Sequence, residues 1–207
     1  MKVKLCGFTD EQSVNAAVAA KCDFLGFVFC ERSVRKVSPK KAAEISFQVP
    51  LNIGKVAVIV DPDFSLLAEI YKIFSPDFFQ FHGSETPEFL QKIRDKFTHV
   101  KIIKAFRISK ASDLNQIKNF MDVADFFLFD GKSAGSGMKF DWTILQNFSC
   151  EKEWFLSGGL NIGNVEEAVK LTGAKMIDVS SGIEKIRGQK SQELISEFMN
   201  KIKNYVS

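Results

Sequence analysis

The sequence predicts an α/β protein, a single (β/α)8 TIM barrel in which eight parallel strands are surrounded by outer helices. Short apolar segments alternate eight times with amphipathic helical segments along the 207 residues, a pattern typical of parallel sheets. The apolar segments are hydrophobic at nearly every position, as expected for strands buried on both faces. No linker, low-complexity tract or block of charge divides the chain, so we expect residues 1–207 to form one domain.

The predicted strands are bounded by Gly, Asp, Ser or Pro, which favour turns. They are Val3–Cys6, Phe24–Phe29, Ile53–Val60, Phe78–Phe81, Val100–Phe106, Asp125–Phe129, Trp154–Ser157 and Met176–Val179. Helical patterns follow at 11–20, 39–48, 63–74, 86–95, 112–121, 141–148, 162–172 and 191–205, several of them after start signals at Thr9-Asp10, Ser38-Pro39, Thr86-Pro87, Ser112-Asp113 and Asp141. A doubly wound open sheet is the alternative, but it usually carries G-x-G-x-x-G after its first strand, and here a single glycine follows Cys6.

Composition excludes several functional classes. The net charge is only +3 and the basic residues are dispersed, which argues against a nucleic-acid partner. No apolar stretch approaches the ~20 residues that span a membrane, and charged residues interrupt the N-terminus, so we expect a soluble cytoplasmic protein. The four cysteines, at 6, 22, 30 and 150, lack C-x-x-C spacing, so we expect reduced thiols and neither a zinc nor a thioredoxin-like site. The 21 phenylalanines are assigned to the core.

The barrel supplies a rule for locating the site. Residues directly after a strand lie at the end that carries the chemistry, whereas residues directly before a strand lie at the opposite end. Cys22 and Cys150 fall at the opposite end and are predicted to be small apolar fillers. The rule collects Cys6, Cys30, Arg32, Arg35, His82, Arg107, Asp130, Gly158, Gly159, Ser180 and Ser181 at one mouth.

Two loops at this mouth predict a phosphate site. Gly158-Gly159 follows the seventh strand, and Asp178-Val179-Ser180-Ser181-Gly182 ends the eighth. In barrels of this type these loops frequently bind phosphate together with the N-terminus of a short extra helix. Glycines let backbone N–H groups approach an anion, and a helix N-terminus adds partial positive charge. A lone Gly-Gly is usually a tight turn, but two such loops on adjacent strands favour an anion site.

A thiol and a carboxylate at the same mouth favour proton transfer. Cys6 ends the first strand, and Lys4 points to the same side of that strand, so the ammonium is expected inside the barrel near the thiol. The alternatives are a packing cysteine and a lysine that extends out of the barrel. Asp130 ends the apolar sixth strand, where a carboxyl group can keep its proton and act as a general acid, or simply cap a loop.

Three further features of the mouth have less specific signals. Arg35 lies in the long basic loop after the second strand and could bind a substrate carboxylate through its planar fork, although such loops are most often solvated surface. His82 follows the fourth strand and is as consistent with a structural as with a functional role. The Ala134–Gly137 loop, which follows Asp130, has the composition of a lid.

The motifs together resemble the phosphoribosylanthranilate isomerase family. Seven blocks match family patterns in order: Lys4–Thr9, Ser33–Pro39, Gln80–Gly83, Leu128–Asp130, Ala134–Trp142, Leu156–Leu160 and Asp178–Glu184. The chain departs from the pattern at Val34, where the family has proline, and in the glycine-rich loop at Ala134, Ser136 and Met138-Lys139. These departures put substrate affinity and loop motion in doubt more than the chemistry.

The resemblance implies a role for each block. It implies that Cys6 is the general base, Asp130 the general acid and Arg35 the ligand of the anthranilate carboxylate. It implies that Gly158, Gly159, Ser180, Ser181 and Gly182 bind phosphate, with Lys4, His82 and Asp178 also at the mouth. The implied reaction is the Amadori rearrangement of N-(5-phosphoribosyl)anthranilate in tryptophan biosynthesis, in a monomer or homodimer. It needs no metal or other cofactor, because the protonated imine is the electron sink.

Other functions stay open at this point. The histidine-pathway aminoaldose isomerase typically uses two aspartates, at strands one and six, and Cys6 argues against it. A ribulose-phosphate epimerase needs metal-binding His and Asp residues, and the sequence holds only His82 and His99. A barrel that binds a phosphate ligand without turning it over is the non-enzymatic alternative.

Overall fold

Eight parallel strands close into a barrel in the computed structural model, which describes residues 1–131 and 141–206. The strands are β1 (Lys2–Cys6), β2 (Phe24–Val28), β3 (Gly54–Ile59), β4 (Phe78–Phe81), β5 (Lys101–Ile108), β6 (Phe126–Gly131), β7 (Trp154–Leu156) and β8 (Met176–Val179). Each strand pairs with its neighbours in sequence, and β1 also pairs with β8. The closed ring confirms the predicted barrel and excludes the open sheet.

The outer layer of the described ranges contains the helices α1 (Glu11–Ala19), α2 (Pro39–Ile45), α3 (Phe64–Phe74), α4 (Pro87–Lys96), α5 (Val165–Thr172) and α6 (Gln192–Val206). The start signals at Ser38-Pro39 and Thr86-Pro87 are confirmed. Each hydroxyl accepts a hydrogen bond from a backbone N–H of the first turn, and each proline stands at the start of its helix. Asp10 caps α1 in the same way. Within these ranges no helix is long and apolar enough to cross a membrane.

Two of the predicted helices differ from expectation. The segment after β5 is a 3₁₀-helix, Ala111–Phe120, and the segment after Asp141 is a single 3₁₀ turn, Trp142–Leu145. Asp113 accepts hydrogen bonds from the N–H groups of Ser109 and Lys110, just before the helix, in the manner of a capping box. Asp141 caps the second segment as predicted.

A hairpin that the sequence analysis missed follows β8. It consists of β9 (Glu184–Ile186) and β10 (Gln189–Lys190), and its turn contains Gly188 at φ +89°. The glycine in this turn was the available signal. The hairpin occupies the chain between β8 and α6, where barrels of this type frequently have a short extra helix.

The barrel interior is closed below the mouth by an aromatic floor. Phe24, Phe78, Phe126 and Phe155 pack ring against ring, with centroid distances of 5.3–6.2 Å. Alternate residues of a strand face the barrel interior. The next inward-facing residues on the same strands therefore lie between this floor and the mouth. The floor therefore separates the site from the opposite end of the barrel.

The assignment of the phenylalanines to the core is correct for those of the floor and wrong for Phe47. That side chain is 87% exposed, beyond the end of α2.

The contrast between the buried floor and the exposed Phe47 provides a matched pair of variants. We expect Phe155→Ala to lower the free energy of unfolding by about 3–5 kcal/mol, because it leaves a cavity in the floor. Phe47→Ala should change it by less than about 0.5 kcal/mol. Urea denaturation measures both, and equal effects would contradict the assignment of the floor.

Candidate active site

A buried ion pair lies inside the barrel next to the first-strand thiol. Lys4 is completely buried, and its Nζ donates to Oδ1 of Asp178 at 2.8 Å. Ser157 Oγ donates to the other carboxylate oxygen at 3.2 Å. Lys4 therefore lies within the barrel, as predicted from the side of β1 on which it stands. Asp178 is held by contacts from both neighbouring strands, β1 and the end of β7.

The Cys6 thiol lies directly beyond this pair, in contact with the inward face of β2. An added Cβ at Gly26 would come within 2.6 Å of Sγ, so only glycine leaves room for the thiol there. Burial raises the pKa of Cys6 above its ordinary value. The nearby ammonium groups of Lys4 and Lys190 oppose this shift without overcoming it. The free protein therefore holds a protonated thiol at neutral pH, and Lys4 does not by itself produce a thiolate.

Asp130 faces a histidine across the mouth. His82 Nε2 lies 3.4 Å from Asp130 Oδ2, and His82 Nδ1 lies 3.4 Å from Gln80 Nε2. Gln80 Oε1 and His82 Nε2 have no hydrogen-bond partner within the described residues although both are buried. Asp130 is 9% exposed, so its carboxyl group borders the cavity rather than bulk solvent. Among the described residues, His82 is the only basic side chain within ion-pair distance of this carboxyl group.

The loop that carries His82 is fixed by a buried ion pair that the sequence analysis did not identify. Lys104 Nζ donates to Glu85 at 2.7 Å and to the carbonyl oxygen of Gly83 at 2.8 Å. Glu85 also accepts from the backbone N–H of Gly83. Because both side chains are buried, this pair sets the position of the chain directly after His82.

Arg35 is engaged within the protein. Its Nε and Nη2 donate to the two carboxylate oxygens of Glu184 at 2.6 and 2.7 Å, and its stem lies against Gly7. Lys190 Nζ donates to the same carboxylate at 2.8 Å and to the carbonyl oxygen of Ser180 at 2.9 Å. Glu184 was noted only as the end of a motif, and Lys190 had no sequence signal. The network joins the loops after β2 and β8.

The two glycine loops lie in direct contact. Gly158 and Gly159 have φ of +92° and +74°, a region that favours glycine, and no atom stands within 4 Å of an added Cβ at Gly159. Gly182 pairs with Asn161, and a side chain at Gly182 would collide with the backbone of the β7 loop. Ser180 and Ser181 precede it. The geometry leaves an open approach to the backbone at Gly159, which a phosphate group can use.

The remaining predicted features divide between the two ends of the barrel. Burial and the neighbouring Asp23 raise the pKa of Cys22 to about 12, which fits an inert filler. Cys30 packs against the barrel interior and Cys150 against the outer core, both partly exposed. The Ala134–Gly137 loop lies outside the described residues. Among those described, no group of three His, Cys, Asp or Glu side chains is placed to hold a metal ion.

Comparison with known proteins decides between the barrel enzymes that this mouth resembles. A family model described as N-(5'-phosphoribosyl)anthranilate (PRA) isomerase matches residues 3–201. The chain belongs to the phosphoribosylanthranilate isomerase family. It is accordingly an isomerase with a place in tryptophan biosynthesis, and the resemblance drawn from the seven sequence blocks is confirmed.

Relatives of the phosphoribosylanthranilate isomerase family match the chain over nearly its whole length. The N-(5'-phosphoribosyl)anthranilate isomerase of Parvibaculum lavamentivorans is 40% identical over 212 residues, covering 98% of each chain. The crystal structure of the Thermotoga maritima enzyme superposes with a TM-score of 0.90 at 31% identity and 99% coverage of each chain. A phosphoribosylanthranilate isomerase in complex with reduced 1-(o-carboxyphenylamino)-1-deoxyribulose 5-phosphate has a TM-score of 0.87, 29% identity and the same coverage.

The Arg35–Glu184–Lys190 network makes a prediction about acid stability. Burial disfavours the charged form of Glu184, but hydrogen bonds from Arg35 and Lys190 outweigh it and lower its pKa to about 2. A lowered pKa stabilises the folded state above the ordinary carboxyl range, and this contribution is lost as the pH falls toward 2. We expect Glu184→Gln to lower the free energy of unfolding by up to about 3 kcal/mol at pH 6.5 and by less at pH 3.

Urea denaturation of the wild type and of Glu184→Gln, each at about pH 6.5 and about pH 3, measures the difference in the free energy of unfolding. Lys2 and Glu153 form an exposed ion pair, so Glu153→Gln is the matched control and should change stability by less than about 1 kcal/mol. A Glu184→Gln effect that is the same at both pH values would show that the carboxylate does not contribute through its charge.

Proposed function

We propose that this chain converts N-(5-phosphoribosyl)anthranilate to 1-(2-carboxyphenylamino)-1-deoxyribulose 5-phosphate by general acid and base catalysis. The observation that carries the proposal is the meeting of the Cys6 thiol, the Asp130 carboxyl group and two glycine loops at one mouth of a barrel of this family. A relative's structure holds a reduced form of this product, which supports the same class of phosphosugar substrate here.

The substrate's phosphate group is assigned to the loops after β7 and β8. Gly158, Gly159, Ser180, Ser181 and Gly182 offer backbone N–H groups, and the left-handed conformation of the first two opens the backbone to a ligand. Lys190, whose ammonium binds the Ser180 carbonyl oxygen, adds positive charge behind the second loop. With the phosphate bound there, the ribose extends over the mouth between Cys6 and Asp130.

Asp130 acts first, as the acid. In the proposed step its carboxylic proton passes to the ring oxygen of the ribose, the C1–O bond breaks, and the nitrogen lone pair forms a protonated imine with C1. The carboxylate that remains stays next to His82, at 3.4 Å. His82, whose Nε2 faces this carboxyl group, is the proposed positioning residue for the acid, and Gln80 lies next to the other ring nitrogen of His82.

Cys6 acts second, as the base. The thiol first releases its proton to solvent, and the thiolate then takes the proton from C2 of the protonated imine; the C–H electron pair forms the C1=C2 bond as the π pair of the imine moves to nitrogen. The resulting enolamine has a hydroxyl on C2 and becomes the ketone by gaining a proton at C1 while the hydroxyl loses its proton. The positive charge of the imine favours the thiolate in the intermediate, which offsets the effect of burial in the free protein.

Arg35 is proposed to contact the anthranilate carboxylate through its free edge. A guanidinium has five N–H donors, and the ion pair with Glu184 occupies one edge of the fork. Arg35 also lies against Gly7, next to Cys6. This placement is consistent with a substrate contact near the base, although Glu184 already balances the charge of the guanidinium.

Replacing the base tests the proposal directly. We expect Cys6→Ala to lower kcat by ~10²–10⁴-fold, because a positioned proton acceptor contributes about this factor, while the fold is retained. Turnover is followed by the loss of substrate fluorescence with N-(5-phosphoribosyl)anthranilate. Cys22→Ala is the control and should keep full activity, since that thiol lies at the other end of the barrel. A Cys6→Ala enzyme with a normal kcat would remove Cys6 from the mechanism.

The acid is tested with Asp130→Asn, which keeps the size of the side chain but cannot donate a carboxylic proton. We expect a fall in kcat of at least ~10²-fold with little change in thermal stability. A large loss of stability with a near-normal kcat would instead identify Asp130 as a structural cap.

The raised pKa of Cys6 predicts how activity depends on pH. A base must be deprotonated to act, and burial raises the pKa of this thiol above its ordinary value, so the active fraction increases with pH across the neutral range. We expect the residual kcat/KM of Asp130→Asn, which no longer depends on a carboxylic proton, to rise from pH 6 to pH 9, by up to tenfold per unit where the thiol alone limits the rate. A rate that is constant from below pH 7 upward would contradict this assignment.

A further inference from the structure

A buried amide interrupts the apolar interior of the barrel on β4. Gln80 is 1% exposed and stands on the inward face, one layer closer to the mouth than Phe78 of the floor. Its partners in register on the two neighbouring strands, Val58 and Ile103, are apolar and line the same interior. A buried amide costs free energy unless it is hydrogen-bonded, so this side chain needs a polar partner from its own strand.

The partner of this amide is the imidazole of His82, two residues further along β4. Gln80 Nε2 lies 3.4 Å from His82 Nδ1, whereas Gln80 Oε1 has no hydrogen-bond partner within residues 1–131 and 141–206. An amide nitrogen donates hydrogen bonds and does not accept them. Nδ1 is therefore the acceptor, and the neutral ring carries its proton on Nε2.

The loop after β4 holds the ring in this position. The backbone N–H of His82 donates to the carbonyl oxygen of Ile59 at 2.9 Å. The next residue, Gly83, is held by the buried Lys104–Glu85 pair, which contacts both its carbonyl oxygen and its N–H. The two charges of that pair compensate each other beside the histidine, so the ring nitrogens are left to Gln80 on one side and to the proposed acid on the other.

The tautomer of His82 decides which group the acid faces. Nε2 lies 3.4 Å from Asp130 Oδ2, and hydrogen bonds of this kind often tighten only when a substrate is bound. With its proton on Nε2, the ring directs an N–H at Oδ2 and leaves the acidic proton of Asp130 to the other oxygen, Oδ1. The opposite tautomer would direct a lone pair at Asp130 and would itself bind the acidic proton.

We propose that Gln80 is a positioning residue that sets the tautomer of His82 and thereby keeps the acidic proton of Asp130 available to the substrate. The inference rests on the proposed function, in which this proton passes to the ring oxygen of the ribose. As the proton leaves Oδ1, negative charge develops on the carboxylate, and the Nε2–H of His82 stabilises that charge. The imidazole keeps its own proton throughout, so it orients the acid without exchanging a proton with it.

Nitrogen NMR of the imidazole rings measures the tautomer directly. The sequence contains two histidines, His82 and the exposed His99, so His99 serves as the reference for a solvated ring. At about pH 8, where an ordinary imidazole is neutral, we expect His82 of the wild type to show a protonated Nε2 and an unprotonated Nδ1. Gln80→Met keeps the length of the side chain but has no N–H, and should move His82 toward the tautomer mixture of His99.

The catalytic consequence is measured in a single turnover with enzyme in excess, which separates the chemical steps from product release. We expect Gln80→Met to slow the conversion of N-(5-phosphoribosyl)anthranilate about 10-fold, and to leave the affinity for reduced 1-(o-carboxyphenylamino)-1-deoxyribulose 5-phosphate within about twofold. Gln91→Met makes the same substitution on the exposed face of α4. It is the matched control and should change neither the rate nor the His82 signals.

The wild-type spectrum tests the inference without any variant having to fold. A proton on Nδ1 of His82 would overturn it, because the amide would then present its oxygen to the ring. An unchanged tautomer or an unchanged single-turnover rate in Gln80→Met would overturn it as well. If the wild type shows the expected tautomer but does not convert N-(5-phosphoribosyl)anthranilate, the proposed function fails, and this outcome is distinct from a failure of the tautomer assignment.

Discussion

The ion pair between Lys4 and Asp178 is the interaction on which the rest of the site depends. It joins β1 to β8, the two strands that close the barrel, and its atoms are shielded from water. Removing one partner of a buried ion pair typically lowers the free energy of unfolding by ~3–5 kcal/mol, so neither residue can be replaced without the other. The pair also places a cation next to Cys6, because the Lys4 ammonium lies close to the sulfur as well as to the Asp178 carboxylate. Closing the barrel and positioning the thiol are thus parts of one arrangement.

A second layer of charge extends this arrangement to the mouth. Glu184 receives hydrogen bonds from Arg35, Lys190 and the N–H of Gly188, and thereby connects the loop after β2 with the hairpin after β8. The loop after β8, to which the proposed function assigns the phosphate, therefore rests on a network formed within the protein itself. Preorganisation of this kind reduces the ordering that binding would otherwise require.

The parts of the fold that the sequence predicted well are those with a local cause. Strands buried on both faces are apolar throughout, and Ser38-Pro39 and Thr86-Pro87 supply N-terminal caps, so these elements were located to within a few residues. The 3₁₀ winding of Ala111–Phe120 was not predicted, because a helical periodicity does not distinguish a 3₁₀-helix from an α-helix. The exposure of Phe47 depends on where α2 ends.

The sequence by itself determined which residues reach the active end of the barrel, because the order along each parallel strand fixes its carboxyl end. It placed Cys6, Asp130, Arg35 and the glycine loops at one mouth, and its motifs identified the family. Only the tertiary structure decided the partners: the pairs Lys4–Asp178 and Arg35–Glu184 span 174 and 149 residues of chain. Their contacts exist only once the barrel has closed, as does the burial that sets the pKa of the Cys6 thiol.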